Sequence, residues 1–233
     1  MVRLCPDFLE VARRYFLGGG AYPYRCRVRT PLGLVEPTLY SHHDVWTVVE
    51  IFCREDYRAP AQTETVVDIG SNIGISALYF LTRGEACHAY LYEPDPRNAA
   101  RLRANLAPFA GRWQLREVAV GPEQGVVEFG REPTGRYGAV GAQTSDILLV
   151  PCLEINRVLA EVLDSEREVD VLKIDTEGLE APTVAAIRPE LLERITLIYF
   201  ESESPARLHD DRFDVSFANE TVALRRSDAL TRR

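Results

Sequence analysis

The 233-residue chain lacks the features that mark membrane and secreted proteins. It has no run of about 18 consecutive apolar residues, which is the length that a membrane-spanning helix requires. Its opening stretch, MVRLCPDFLEVARRYF, contains no apolar segment of the kind found in signal peptides. We therefore expect a cytoplasmic protein with no membrane partner.

Cysteine pairs and basic tracts are also missing. The five cysteines are scattered and include no C-x-x-C pair, the spacing typical of zinc and redox centres. Acidic residues outnumber basic ones by 35 to 27, and no basic run is longer than two arginines. Nucleic-acid-binding proteins present clustered basic residues to the phosphate backbone, so we expect no nucleic-acid partner. With 46% hydrophobic and 27% charged residues, the composition indicates a globular protein with a substantial core.

The pattern of the sequence changes near residue 60, which divides a cap over residues 1–60 from a main domain over residues 61–233. The cap is predicted to contain a helix, a hairpin and a second helix, and it is too small to stand alone. In the main domain, short apolar runs alternate with amphipathic helices, which is typical of a parallel sheet with helices on both faces. The seven predicted strands of this sheet cover residues 65–69, 86–92, 114–118, 169–174, 195–200, 213–217 and 221–225, the last two as a closing antiparallel pair. An extra strand is predicted at residues 126–129, and Val150 is predicted to lead into a helix. We therefore predict an α/β fold with a sheet of about seven strands and a small N-terminal cap.

Four polar or glycine-rich turns follow predicted strands. They are DIGSNIG at 68–74, YEPD at 92–95, VAVG at 118–121 and KIDTEG at 173–178. Because the carboxyl ends of parallel strands lie along one edge of a sheet, we expect these turns to be neighbours in space. This edge is the predicted ligand site.

The first turn differs from a dinucleotide-binding fingerprint, because its glycines are four residues apart and Asp68 stands just before them. An aspartate there repels a diphosphate and attracts the ammonium and sulfonium groups of S-adenosylmethionine. We expect Glu93 to accept hydrogen bonds from the ribose hydroxyls, and Gly70→Val to abolish binding without loss of cooperative folding. The predicted cofactor-binding residues are Asp68, Gly70, Asn72, Gly74, Glu93, Pro94, Ala119 and Asp175.

Longer motifs connect the chain to a known family. VDIGSNIG at 67–74, YEPDPRN at 92–98, AVG at 119–121 and DVLKIDTEGLE at 170–180 together resemble the FkbM family of class I S-adenosylmethionine-dependent methyltransferases. The likeness covers about residues 63–202 and implies a Rossmann-like sheet. It also implies methyl transfer to a hydroxyl group of a sugar or another small natural product. The chain departs from the family pattern at Thr176 and in the segment ESES at 201–204, which leaves the acceptor and the base unassigned.

An alcohol must lose its proton when it attacks a methyl group, so a general base or a metal ion is expected. The candidate catalytic residues near the ligand edge are Asp175, Glu177, Glu201, Glu203 and His209. No dedicated metal site is predicted, although two or more of Asp175, Glu177 and Glu201 could bind magnesium or calcium through oxygen ligands.

Two other functions use the same sheet and stay open at this point. One is a NAD(P)-dependent oxidoreductase, and the other is a protein that binds S-adenosylmethionine without catalysis. For the methyltransferase, the expected partner is a small-molecule acceptor with a hydroxyl group, and a homodimer is allowed for.

Overall fold

The computed structural model describes residues 4–131, 139–140, 144–176, 178–202 and 212–227. Within these ranges, no helix combines the length and the apolar character needed to cross a membrane. The strands are β1 Tyr24–Arg25, β2 Val28–Thr30, β3 Gly33–Val35, β4 Thr38–Leu39, β5 Thr65–Ile69, β6 His88–Tyr92, β7 Trp113–Arg116, β8 Ala119–Gly121, β9 Gly125–Gly130, β10 Ala139–Val140, β11 Ile147–Glu154, β12 Val169–Ile174, β13 Ile195–Glu201, β14 Phe213–Ala218 and β15 Thr221–Arg226. The α-helices are α1 Phe8–Leu17, α2 His42–Val48, α3 Ile75–Leu81, α4 Pro96–Leu106, α5 Ile155–Ser165, α6 Glu180–Ala185 and α7 Pro189–Leu192, with a π-helix at Val49–Arg54 and a 3₁₀ helix at Ala107–Phe109.

Seven strands form the main sheet in the order β14-β15-β13-β12-β5-β6-β7. Strands β12 and β13, β12 and β5, β5 and β6, and β6 and β7 pair in parallel, whereas β15 runs antiparallel to β13. The chain moves outward from β5 to β7 and then returns to the other side of β5 as β12. The strand order therefore reverses between β5 and β12, and a crevice opens there at the carboxyl ends of the strands.

Alternate residues of the central strands face opposite sides of the sheet. Val66 and Val171 belong to one hydrophobic cluster together with residues of α3, α4 and the cap. Val67 and Leu172 belong to a second cluster with residues of α5, α6 and α7. Helices thus cover both faces, as predicted, and the cap packs on one of them. The predicted α/β fold class is confirmed.

A second sheet, with the order β10-β9-β11-β8, was only partly anticipated. The sequence predicted β9 as an extra strand and took the stretch around Val150 as the approach to a helix. In the structure this stretch is β11, which pairs antiparallel with β9 and in parallel with β8. Ala119 lies on β8, opposite Cys152 of β11, rather than at the end of β7.

Candidate active site

A cavity of about 650 Å³ lies at the carboxyl ends of β5, β6 and β12. The glycine turn after β5, the acidic end of β6 and the loop after β12 all contribute to its wall, as the sequence predicted for neighbouring strand ends. The predicted site residues that line it are Gly70, Asn72, Glu93, Pro94, Ala119, Asp175 and Glu201. Glu177, Glu203 and His209 lie outside the described residues.

The glycine turn is held very close to the loop that follows β12. Gly70 has φ +76°, and a Cβ atom placed on it would lie 1.7 Å from the carbonyl oxygen of Asp175. The N–H groups of Gly70 and Ser71 both donate to the carbonyl oxygen of Tyr92, at 3.0 and 3.1 Å. A side chain at residue 70 would therefore collide with protein backbone, not only with a bound cofactor as the sequence suggested. Glycine here is required for packing.

Two of the predicted cofactor-binding residues do not line the cavity. Gly74 is the N-cap residue of α3 and has φ +87°, and a Cβ atom there would lie 3.0 Å from Cγ of Leu102 on α4. Asp68 is fully buried, and its Oδ2 accepts a hydrogen bond of 2.6 Å from the Ser76 hydroxyl. In the structure, Gly74 makes room for helix packing, and Asp68 is buried and does not form part of the cavity wall.

Lys173, the only lysine of the chain, links the glycine turn to the loop after β12. Its Nζ lies 3.1 Å from Asp68 Oδ1 and 3.1 Å from Asp175 Oδ2, and it donates to the Gly70 carbonyl oxygen at 2.8 Å. Burial by itself lowers the pKa of Lys173, but the two carboxylates outweigh it and raise the pKa above its ordinary value. Lys173 therefore stays protonated. It can hold Asp175 through its charge, but it cannot accept a proton as a base.

Glu93 presents a buried carboxyl group at the end of β6. Its side chain is 4% exposed, and its two oxygens each accept a backbone N–H at 2.8 Å, from Asn72 and from Asp95. Burial raises the pKa of Glu93 to about 7, although the two backbone donors act in the opposite direction. Each carboxylate oxygen can accept more than one hydrogen bond. Glu93 can therefore still receive hydroxyl donors from a ligand.

The loop after β12 is shaped by Glu180, a residue to which the sequence analysis gave no role. Its two carboxylate oxygens accept the N–H groups of Thr176 at 2.7 Å and Gly178 at 2.8 Å. These bonds place Asp175, whose side chain is 27% exposed, at the cavity wall. An acidic residue two positions after a glycine, at the start of a helix, is the signal that could have identified this contact.

The cap lines part of the cavity with polar side chains. Glu50 and Arg54 of the π-helix line it and lie 4.0 Å apart, and Arg54 also pairs with Asp56. Tyr57 follows them, with its hydroxyl 3.4 Å from Glu201 Oε1. Asn219, in the turn between β14 and β15, donates to Asp56 at 3.2 Å and completes this rim.

Next to Glu93 the wall is largely apolar. Pro94 follows Glu93, while Val118, Ala119 and Val120 approach from the start of the second sheet and Phe129 from β9. A flat heteroaromatic group can be buried against such a surface. The cavity thus has an apolar end beside Glu93 and a polar end beside the cap.

The chain is similar to several known proteins. The 2-O-methyltransferase NoeI of Sinorhizobium fredii (strain NBRC 101917 / NGR234) is 41% identical over 64 residues, which cover 28% of this chain and 26% of that protein. The match thus spans about a quarter of this relative's length. Among solved structures, a methyltransferase from Geobacter sulfurreducens has a TM-score of 0.43 at 13% identity and covers 77% of each chain. TrmK of M. capricolum in complex with S-adenosylhomocysteine has a TM-score of 0.39 at 11% identity, over 75% of this chain and 67% of that chain.

The family assignment rests on a different comparison. The family model described as the methyltransferase FkbM domain matches residues 68–219, which is well over half of the chain. This match includes the glycine turn, Glu93, Asp175 and Glu201, and it confirms the resemblance seen in the sequence motifs. The chain therefore belongs to the FkbM methyltransferase family.

Proposed function

We propose that this chain is an S-adenosylmethionine-dependent O-methyltransferase that acts on a hydroxyl group of a sugar or another small natural product. The observation that carries the proposal is that the glycine turn, the buried carboxyl group of Glu93 and Asp175 surround one cavity. Membership of the FkbM family supports the same reaction.

The charges around the cavity fit this cofactor better than a dinucleotide. Among the described lining residues, acidic side chains outnumber basic ones by seven to two; the acids are Asp44, Glu50, Asp56, Glu93, Asp175, Glu201 and Glu220, and the bases are Arg54 and Lys173. Both bases already pair with carboxylates. A diphosphate would be repelled here, whereas a sulfonium and an ammonium group would be attracted. Glu93 would hold the ribose, and the apolar wall near Ala119 would take the adenine.

The chain's own residues would supply orientation and proton removal. S-adenosylmethionine, when bound, supplies a methyl group activated by its positive sulfur. Attack by an alcohol oxygen requires in-line placement and loss of the hydroxyl proton. Asp175 and Glu201 are the candidate carboxylates for proton removal, because both lie at the carboxyl ends of the strands, where the cavity is. Lys173 pairs with Asp175 and holds it in place. Glu201 contacts Tyr57 of the cap, and we take Glu201 as the candidate base.

The polar end of the cavity favours an acceptor rich in hydroxyl groups and without negative charge. Glu50, Arg54, Asp56, Asn219 and Glu220 line this end. An apolar polyketide surface would displace water from these polar groups without replacing its hydrogen bonds, and a phosphorylated acceptor would meet carboxylates. A neutral or amino sugar can satisfy them through its hydroxyl groups.

The first experiment tests the cofactor through Glu93. Ribose hydroxyls donate, so they favour the ionised form of Glu93, whose pKa is raised to about 7. We expect S-adenosylhomocysteine to bind about tenfold more weakly at pH 6 than at pH 8, because only about a tenth of the Glu93 carboxyl groups are ionised at pH 6. Glu93→Gln should weaken binding by about 1.5–3 kcal/mol at pH 8 and remove the pH dependence. Calorimetric titration measures both, with NAD as the control ligand; tighter binding of NAD, or an unchanged affinity of the folded variant, contradicts the assignment.

The second experiment concerns proton removal. Glu201→Gln and Asp175→Asn keep shape but remove the negative charge that stabilises proton loss, so we expect turnover to fall by about 10²–10⁴-fold in the variant that loses the base. The measurement is the formation of S-adenosylhomocysteine with a mixture of methyl glycosides of neutral sugars and amino sugars. Near-normal turnover in both variants would show that neither carboxylate acts as the base.

A role for magnesium or calcium is tested in the same assay. Among the described residues, no group of three or more His, Cys, Asp or Glu side chains is arranged to hold a metal ion. Loss of turnover with a chelator, and its return with added magnesium or calcium, would show metal assistance. Cytoplasmic localisation, a role in natural-product biosynthesis and a homodimer remain predictions, the last of which light scattering can test.

A further inference from the structure

The end of the cap brings one more side chain to the polar end of the cavity. Tyr57 lines the cavity, although it stands eleven residues before the start of the FkbM match at residue 68. Its side chain is 5% exposed, and its ring packs against the ring of Tyr199 on β13 at 5.6 Å between centroids. Nζ of Lys173 lies 5.6 Å from the centre of the same ring. These contacts fix the ring between the cap and the ends of β12 and β13.

The hydroxyl of Tyr57 is directed at Glu201. It lies 3.4 Å from Glu201 Oε1, within hydrogen-bond range, and the two residues are 144 positions apart in the chain. Burial raises the pKa of Tyr57 well above its ordinary value, and the nearby charges of Asp175, Glu201, Asp68 and Glu50 act in the same direction. The hydroxyl therefore keeps its proton and is a donor, so it cannot serve as the base.

A hydrogen-bond donor fixed by packing favours the rotamers of a carboxylate in which the two groups are in contact. Glu201 ends β13 and is exposed at the cavity, where the Tyr57 hydroxyl reaches it from the cap. Small displacements of a reacting group lower reaction rates by large factors. A donor that holds the base at the cavity edge would prevent such displacements.

We propose that Tyr57 is a positioning residue that orients Glu201 toward the acceptor, so that the cap completes the acceptor site of the FkbM domain. This inference rests on the proposed function, because it takes Glu201 as the base. It predicts that the hydroxyl of Tyr57, and not its ring, matters for the reaction.

The chain offers a matched control in Tyr199. Its hydroxyl also sits at the boundary between cap and sheet, but it donates to the carbonyl oxygen of Arg58 at 2.6 Å and does not line the main cavity. Tyr57→Phe and Tyr199→Phe each remove one buried hydroxyl from the same boundary. Only the first removes a donor from Glu201.

The first test needs neither cofactor nor acceptor. Protein labelled with ¹³C at glutamate carboxyl groups is titrated by NMR, and Glu201→Gln identifies the Glu201 resonance. A donor favours the ionised form of a carboxylate, so Tyr57→Phe should move the titration midpoint of Glu201 up by about 0.5 pH unit. The other charged groups that act on Tyr57 or line the cavity beside this pair are the same in all variants, namely Glu50, Arg54, Asp56, Asp68, Lys173, Asp175 and Glu220. An unmoved midpoint, or an equal shift in Tyr199→Phe, overturns the inference.

The second test asks whether Tyr57 acts through Glu201. With the methyl glycoside mixture, Tyr57→Phe should lower turnover about tenfold and change the affinity for S-adenosylhomocysteine less than twofold. The double variant Tyr57→Phe/Glu201→Gln should be no slower than Glu201→Gln alone, since effects of residues that act as a unit do not multiply. Losses that multiply, or a normal rate in Glu201→Gln, overturn the inference. Failure of the proposed function itself is distinguishable, because it appears as absent binding of S-adenosylhomocysteine in wild-type protein.

Discussion

Replacing Gly70 with alanine is expected to destabilise the protein by at least about 3 kcal/mol, or to prevent folding. The added Cβ would lie 1.7 Å from the carbonyl oxygen of Asp175, a distance that only a shift of one backbone segment can relieve. Asp175 N–H donates to the Ile69 carbonyl oxygen at 3.1 Å, so such a shift would also break the pairing of β5 and β12. Overpacking and loss of backbone pairing in the centre of a sheet are among the mechanisms that produce large destabilisation.

Gly111→Ala is the matched control for this experiment. Gly111 also has a positive φ, +86°, but a Cβ there meets nothing within 4 Å. Alanine at residue 111 should therefore show only the penalty of the left-handed conformation, about 1–2 kcal/mol. Urea unfolding of the two variants separates the collision from this backbone term. If Gly70→Ala and Gly111→Ala were equally stable, the backbones at Gly70 and Asp175 would not be in close contact. The expectation from the sequence, that a variant at residue 70 folds but does not bind the cofactor, would then stand.

The centre of the sheet could be predicted from the sequence because its strands are short, mostly apolar segments between turn signals. Predicted strands 65–69 and 169–174 coincide with β5 Thr65–Ile69 and β12 Val169–Ile174. The closing antiparallel pair β14 and β15 was likewise predicted. Buried parallel strands give this strong signal because neither face meets water.

The strand β11, Ile147–Glu154, was missed for a physical reason. Its sequence ILLVPCLE does not alternate apolar and polar residues, and Pro151 is a residue that strands usually exclude. Its partner β9 supplies the pairing, with Pro151 opposite Val126. Such pairing is a tertiary feature that no local pattern carries.

The candidate site could be predicted as a set of strand ends but not as a set of contacts. Gly70, Glu93 and Asp175 are at the cavity because the turn signals and the strand order place them there. The contact between Tyr57 and Glu201 joins residues 144 positions apart, and nothing in the local sequence of either residue reports it. The same holds for Lys173, whose two carboxylate partners come from β5 and from the loop after β12.

Removing the ammonium group of Lys173 is the other change with a large expected effect. Lys173→Met keeps much of the side-chain volume but leaves Asp68 fully buried and Asp175 without their shared cation. Breaking a buried ion pair from one side typically destabilises by about 3–5 kcal/mol, because an uncompensated charge stays in the interior. We expect a loss of this size at pH 8 in urea unfolding.

The dependence of that loss on pH distinguishes an electrostatic cause from a packing cause. In wild-type protein the folded pKa of Lys173 is raised, so its contribution is fully present below the unfolded value of about 10.5 and is lost only as the pH rises through the folded value. Between pH 5 and 8 this contribution is therefore constant. In Lys173→Met, a buried carboxyl group without its cation favours the protonated form, so the folded variant takes up a proton as the pH falls. The difference in unfolding free energy between wild type and variant should thus narrow by more than about 1 kcal/mol from pH 8 to pH 5.

Adding Asp68→Asn to Lys173→Met provides the control for this interpretation. The amide oxygen can still accept the hydrogen bond from the Ser76 hydroxyl, while the buried negative charge is removed. The double variant should recover part of the lost stability at pH 8 and show a smaller dependence on pH than Lys173→Met alone. A loss that is the same at every pH and is not relieved by Asp68→Asn would assign the effect to lost packing of the lysine stem, and Lys173 would then not be the electrostatic link between the glycine turn and Asp175.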